Sequence, residues 1–123
     1  MSGQVRSFQD LRTWQHAMDL IPKVYQLVRK LPAEERFALG EQLRRATVSV
    51  PANIAEGHAR RHTKEFLQHL SIARGSLAEL HTLLLVAQRL GYITPAELSD
   101  LEKAVDDVGK PLSGLIARLK EKS

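Results

Sequence analysis

The 123-residue chain contains no cysteine, which excludes disulfides, thiolate nucleophiles, cysteine-ligated zinc and iron–sulfur clusters. Aromatic residues make up only 5% of it. The longest strictly apolar run is Leu83–Ala87, far shorter than the roughly 20 residues that span a bilayer. Met1–Arg6 has no apolar core of the kind found in signal peptides. We therefore expect a cytoplasmic protein with no membrane partner.

The length fits one domain, residues 1–123, with enough chain to bury a core. Four stretches show helical periodicity, at about residues 8–31, 33–57, 63–91 and 95–120, and no strand pattern competes with them. Their short connections predict an all-α, antiparallel up-down four-helix bundle. In the first stretch, a 3-4 spacing assigns these residues to the core-facing seam: Leu11, Trp14, Met18, Ile21, Tyr25 and Val28.

Signals for helix ends support these boundaries. Ser7 with Asp10, and Thr94 with Glu97, have the spacing of capping boxes. Thr63 is the predicted N-cap of the third helix, and Gly91 follows the end of that helix. The prolines within the first and second helices are expected to bend them.

The second and third helices each carry apolar residues away from their predicted seams. These residues are Val48, Ala52, Ala55, Ile72, Leu83 and Val86. They fit either a wide apolar face of a monomer or a subunit interface. We favour the interface, because a helix that is apolar on two sides usually buries both. The expected state is a homo-oligomer.

Motifs for catalysis or cofactors are lacking: there is no HExxH, no GxSxG and no phosphate-binding glycine loop. His58 and His62 have a spacing that could place two imidazoles on one metal, but no third ligand is evident. We interpret them as loop histidines and expect no metal, no cofactor and no enzymatic activity.

Positive charge is concentrated between Gln42 and Arg74, where six cations accompany two carboxylates. This surplus equals the +4 net charge of the whole chain. It fits either a solvated turn or a surface for nucleic-acid phosphates. The predicted phosphate contacts are Arg44, Arg60, Arg61, Lys64 and Arg74. Because the aromatic residues fall mainly on seams, backbone contacts are expected rather than base stacking.

A polar set follows one edge of the seam of the second helix and faces two residues of the third. Its members are Arg45, Ser49, Asn53, Glu56, Ser76 and Glu79. We predict an internal hydrogen-bonded network that sets helix register, because buried polar atoms need partners. A catalytic role is the alternative, and would require these residues to open into a pocket.

The run EQLRRATVSVPANIAEG, residues 41–57, is distinctive. It resembles the signature of the bacterial four-helix-bundle proteins that are encoded by intervening sequences in large-subunit ribosomal RNA genes. Further matches are Phe8–Leu11, Trp14 and Ile72–Ser76. The same superfamily includes the accessory variability determinant of diversity-generating retroelements, a basic pentameric barrel that binds nucleic acid and a reverse transcriptase.

This resemblance implies a left-handed bundle that assembles as a ring-shaped homopentamer. The rRNA-associated members have no settled biochemical role. From the basic stretch and the missing catalytic motifs we expect a non-enzymatic, oligomeric accessory protein with RNA or DNA as the partner. A protein–protein scaffold, in which the basic stretch only adds solubility, is the alternative function.

Overall fold

The fold was analysed in a computed structural model that describes residues 7–122. Met1–Arg6, the stretch without a signal-peptide core, and Ser123 lie outside the described residues. Four long helices and two short 3-10 turns make up the described chain, which contains no strand. In order they are a turn at Phe8–Asp10, α1 at Arg12–Lys30, a turn at Ala33–Glu35, α2 at Leu39–Ala59, α3 at Thr63–Arg89 and α4 at Pro95–Lys122.

The helices pack as a four-helix bundle in which α1 contacts α2 and α4, and α3 contacts the same two helices. Aliphatic side chains from all four helices fill the centre. The largest that are fully buried are Leu20, Leu43, Ile54, Leu70, Leu80, Leu84 and Leu112. The bundle predicted from periodicity is confirmed. Up-down connection also places the ends of α2 and α4 at one end of the bundle, together with the start of α3.

Only part of the predicted α1 seam is buried: Leu11 and Val28 lie in the core as predicted, but most of the buried residues of α1 form a neighbouring stripe. Its core residues include Ala17, Leu20, Val24, Leu27 and Val28. Met18, from the predicted seam, is 41% exposed, and Trp14 is only half-buried. Both stripes repeat with the same helical spacing, so periodicity alone does not distinguish them. Packing centres the core on the aliphatic stripe and leaves the bulkier Trp14, Ile21 and Tyr25 half-buried at its edge.

The observed helix ends agree with most of the predicted signals. Ser7 and Asp10 form a reciprocal capping box on the first turn. Thr94 and Glu97 do the same on α4, at 2.9 and 3.1 Å. The prediction for Thr63 is wrong: it is the first residue of α3, and the preceding His62 makes no side-chain cap.

Two predicted helices are shorter than expected at their N-termini. The first is divided at Leu11, whose extended backbone separates the 3-10 turn from α1. The second begins at Leu39 rather than near residue 33, because Ala33–Glu35 form a separate turn. Helices α1, α2 and α4 continue through Pro22, Pro51 and Pro111.

Gly57 allows α2 and α3 to pack closely together. A Cβ atom at this position would lie 2.6 Å from the Cβ of His69 and 3.0 Å from Cδ1 of Phe66. The first distance is far below van der Waals contact and involves an atom next to the α3 backbone. Only glycine therefore permits this approach without moving the helices apart.

We expect Gly57→Ala to lower the free energy of unfolding by about 1–3 kcal/mol, because the added methyl group overpacks the helix contact. Urea denaturation followed by circular dichroism would measure the change. Gly75→Ala is the matched control. Nothing lies within 4 Å of a Cβ at that exposed helical position, so the control should be stabilising by up to about 1 kcal/mol. Equal effects of the two substitutions would contradict the packing argument.

A salt bridge joins α1 to the start of α4. Lys30 Nζ lies 2.7 Å from Glu97 Oε2. The hydrogen bond from Lys30 and the backbone N–H of Thr94 lower the pKa of Glu97 to about 2. Because the folded pKa lies below the unfolded value, the ionised carboxylate stabilises the fold above about pH 4.5, and this contribution is lost as the pH falls towards 2.

We expect the difference in unfolding free energy between the wild type and Lys30→Met to shrink as the pH is lowered from about 5 to about 2. Both side chains are well exposed, so the difference should be small even at neutral pH. Urea titrations across this pH range would test the prediction. Lys103→Met, which removes an exposed lysine from α4, controls for loss of charge, and its effect should not follow the ionisation of Glu97.

Candidate nucleic-acid interface

The turn between α2 and α3, together with the first residues of α3, carries two exposed cationic side chains at one end of the bundle. The side chains of Arg61 and Lys64 are exposed. Neither forms a hydrogen bond or ion pair with another residue between 7 and 122. Arg60 differs, because its guanidinium lies 3.0 Å from Glu56 Oε2 and 3.9 Å from Glu65 Oε2. Arg61 and Lys64 are therefore the members of this turn best placed to meet an external anion.

The backbone of Arg61 is unusual. Its φ angle is 68°, in the left-handed region that favours glycine. Holding a residue with a Cβ there costs of order 1–3 kcal/mol. The sequence thus places an arginine where glycine would be easier to accommodate.

Two of the predicted phosphate contacts lie away from this turn. Arg44 is on α2, 16 residues before Arg60 at the C-cap of that helix, which is about 24 Å along the axis. Its guanidinium donates to the carbonyl of Arg36 at 3.2 Å. Arg74 is exposed about 15 Å beyond Lys64 along α3. The predicted set of five is therefore spread along the bundle rather than gathered in one patch.

The last turns of α4 bring further cations to the end where the α2–α3 turn lies. Arg118 and Lys122 are exposed, and they line a groove of about 470 Å³ together with His58 of α2 and Phe66 of α3. These cations are not among the predicted phosphate contacts, because they lie more than 40 residues from Arg74 in the sequence. The predicted up-down topology was the signal that could have found them, since it places the end of α4 beside the start of α3. We call this surface the basic end, defined by Arg61, Lys64, Arg118 and Lys122.

The polar set between α2 and α3 is partly connected. The hydroxyl groups of Ser49 and Ser76 lie 2.8 Å apart. Asn53 Nδ2 donates to the carbonyl and hydroxyl oxygens of Ser49 at 2.9 and 3.0 Å. Its Oδ1 lies 3.3 Å from Nδ1 of His69, whose Nε2 is 3.9 Å from Glu56 Oε2. His69, which sequence analysis did not include, links the serine–asparagine pair to the ion pair at the turn.

Two members of the predicted network remain outside it. Arg45 and Glu79 are exposed and form no hydrogen bond or ion pair within the described part of the chain. They line an open groove of about 840 Å³ with Ser49 and Ser76. The expectation of a fully internal network is therefore wrong, because its residues lie at the outer edge of the α2–α3 contact, where solvent reaches them.

Comparison with known proteins assigns the chain to a family. The model of the 23S rRNA-intervening sequence protein family matches residues 9–114. The chain belongs to this family. A crystal structure of a protein of unknown function from the S23 ribosomal protein family of Bacteroides thetaiotaomicron has a similar fold, with a TM-score of 0.79 and 23% sequence identity. The similarity covers 85% of this chain and 95% of the other. No curated protein matches significantly.

In this family member, most of the predicted subunit-interface residues lie at the surface. Val48, Ile72 and Val86 are 42%, 52% and 38% exposed, Ala52 is exposed and Ala55 is half-buried. The assignment of Leu83 to the outer face is wrong. It is only 8% exposed and belongs to the core of its own chain, because its position on α3 turns towards the other helices rather than away from the bundle.

The description of the matched family names no catalytic activity. Among residues 7–122, no group of three or more His, Asp or Glu side chains is arranged to hold a metal ion. His58 lies half-buried in the last turn of α2, and His62 is exposed before α3. His58 is thus a helical residue, contrary to its interpretation as a loop histidine.

Helix α3 is long and apolar enough to cross a membrane by length and composition alone. In this structure, apolar side chains of α3 contribute to the core of the bundle. Leu70, Leu80 and Leu84 are fully buried against the other helices, as expected for a helix whose apolar face contributes to the core of a bundle.

Proposed function

We propose that this chain is a non-enzymatic, oligomeric accessory protein of the cytoplasm that binds RNA or DNA through phosphate contacts at its basic end. The observation that carries the proposal is the presence of Arg61 and Lys64, exposed and unpaired within residues 7–122, at the same end as Arg118 and Lys122. Cations from separate segments that converge on one surface are what a polyanion requires.

The residue types support phosphate as the bound group. The guanidinium groups of Arg61 and Arg118 offer paired donors that match phosphate oxygens. Arg60 contributes less, because Glu56 and Glu65 already neutralise it. Binding of this kind releases counterions, so affinity should fall steeply as salt concentration rises.

Homo-oligomerisation is the second part of the proposal. Val48 on α2, with Ile72 and Val86 on α3, exposes aliphatic surface that a second copy would cover. On α1, Met18 adds to the exposed apolar area. The family resemblance favours five copies in a ring. Such a ring would repeat the basic end five times and turn a modest monomer charge into a substantial field.

We expect the double charge reversal Arg61→Glu and Lys64→Glu to weaken binding of a fluorescein-labelled RNA by at least tenfold at about 50 mM salt, because each phosphate contact becomes a repulsion. Fluorescence anisotropy would measure the affinity. The matched control is Arg36→Glu with Arg89→Glu, which makes the same change in net charge at exposed positions on the opposite end of the bundle.

If the basic end is the binding site, the control variant should bind the RNA much more tightly than the variant with the double charge reversal. Equal losses would mean that only net charge matters. If the wild type does not bind RNA or DNA at low salt, the nucleic-acid proposal fails, and the scaffold alternative takes its place.

We expect light scattering to give the mass of a homo-oligomer, with a pentamer near five times the 13.8 kDa of one chain. Val48→Asp should shift the protein towards smaller species, because it places a charge within apolar contact surface. Ala117→Asp, an exposed change on α4, should leave the mass unchanged. A monomeric wild type at micromolar concentration would contradict the assembly.

A further inference from the structure

We propose that the basic end binds single-stranded nucleic acid and holds unpaired bases in the two grooves between its cations. This inference rests on the proposed function, because the same cations would hold the phosphates. It adds a class of ligand, a strand with accessible bases, which phosphate contacts alone do not specify.

The first groove combines an apolar floor with a cationic rim. Leu11, Phe66, Leu115 and Leu119 form the floor, and Arg118 and Lys122 stand at the rim. Its volume of about 470 Å³ falls within the roughly 300–1,000 Å³ of small-molecule sites. A flat apolar group attached to a phosphate, such as a nucleotide of an open strand, matches both features.

The second groove lies beside the first and shares His58 with it. It has a volume of about 460 Å³ and is lined by Phe8 and Arg61 among others. The imidazole of His58 packs edge-on against Phe66, with ring centroids 5.7 Å apart and an interplanar angle of 85°. Aromatic rings and cations therefore line the same two grooves at this end of the bundle.

This arrangement gives base contacts a larger part than the expectation of mainly backbone contacts did. Phe66 is half-buried and lines an open groove, rather than being sealed within the core. Phe8 is also half-buried, and its ring lies 5.2 Å from that of Trp14. A duplex keeps its bases stacked inside and would use only the cations. Grooves lined by both aromatic rings and cations are typical of proteins that bind single strands.

The test compares three labelled DNA ligands by fluorescence anisotropy: a ten-nucleotide oligothymidine, a strand of equal length with abasic spacers, and a duplex of equal length. The abasic strand keeps the phosphates and removes the bases. We expect the oligothymidine to bind at least fivefold more tightly than the abasic strand, since stacking of one base contributes about this much or more. It should also bind more tightly than the duplex.

Phe66→Leu should reduce the preference for bases by at least threefold while affinity for the abasic strand changes little, because leucine keeps apolar bulk but removes the ring. His58→Ala is the second variant and should act in the same direction, so the test does not depend on one substitution folding well. Phe37→Leu is the matched control. This phenylalanine is 83% exposed just before α2, at the opposite end of the bundle, and its loss should leave the preference unchanged.

The outcomes separate the two proposals. Equal affinity for oligothymidine and the abasic strand overturns the base-binding inference and leaves phosphate binding intact. Tighter binding of the duplex also overturns it, as does a preference that both groove variants retain. Absence of binding to all three DNA ligands and to the labelled RNA at low salt overturns the proposed function itself. An acidic peptide that binds the wild type while no DNA ligand does would assign the grooves to a protein partner.

Discussion

The close contact between α2 and α3 at Gly57 determines the geometry of the surfaces around it. With no side chain at that position, the α2 backbone approaches the Cβ of His69. At this separation the Ser49 and Ser76 hydroxyl groups can meet, and Asn53 can reach His69. The same contact keeps the two helices together up to the turn that carries the exposed cations. The packing of α2 against α3 and the positions of the surface cations at their turn thus both depend on one glycine.

Much of the fold could be predicted from the sequence because the relevant signals are local. Capping boxes at Ser7 and Thr94 involve residues three apart, and both are present. The apolar periodicity of α2, α3 and α4 identifies their core residues for the same reason. Helix α1 carries two apolar stripes of equal period, and only contact with the neighbouring helices selects the one that contains Leu20 and Val24. Choosing between such stripes requires tertiary information that a single sequence does not contain.

The residues of the candidate site could be predicted only in part, because some of them come together only through the tertiary fold. Arg60, Arg61 and Lys64 are close in the chain, so a local charge surplus identifies them, although it does not show that Arg60 is held by carboxylates. Arg118 and Lys122 join them through the bundle topology, across a separation in sequence that no charge run reveals. The polar set of α2 and α3 was found by its helical spacing. Its exposure depends on how far the two helices turn towards each other, so Arg45 and Glu79 at its edge could not be placed in advance.

The connection between α2 and α3 contains only Arg60–His62, because both helices extend close to the turn. So short a link has few alternative conformations, and the packed helices on either side restrict it further. The backbone of the turn is consequently held in position before any ligand arrives. Ordering on binding would then fall on the exposed side chains of Arg61 and Lys64 and on the ligand. A surface of this kind selects partners that adapt their own shape to a fixed template, and it discriminates against stiff partners whose spacing of charges differs from its own.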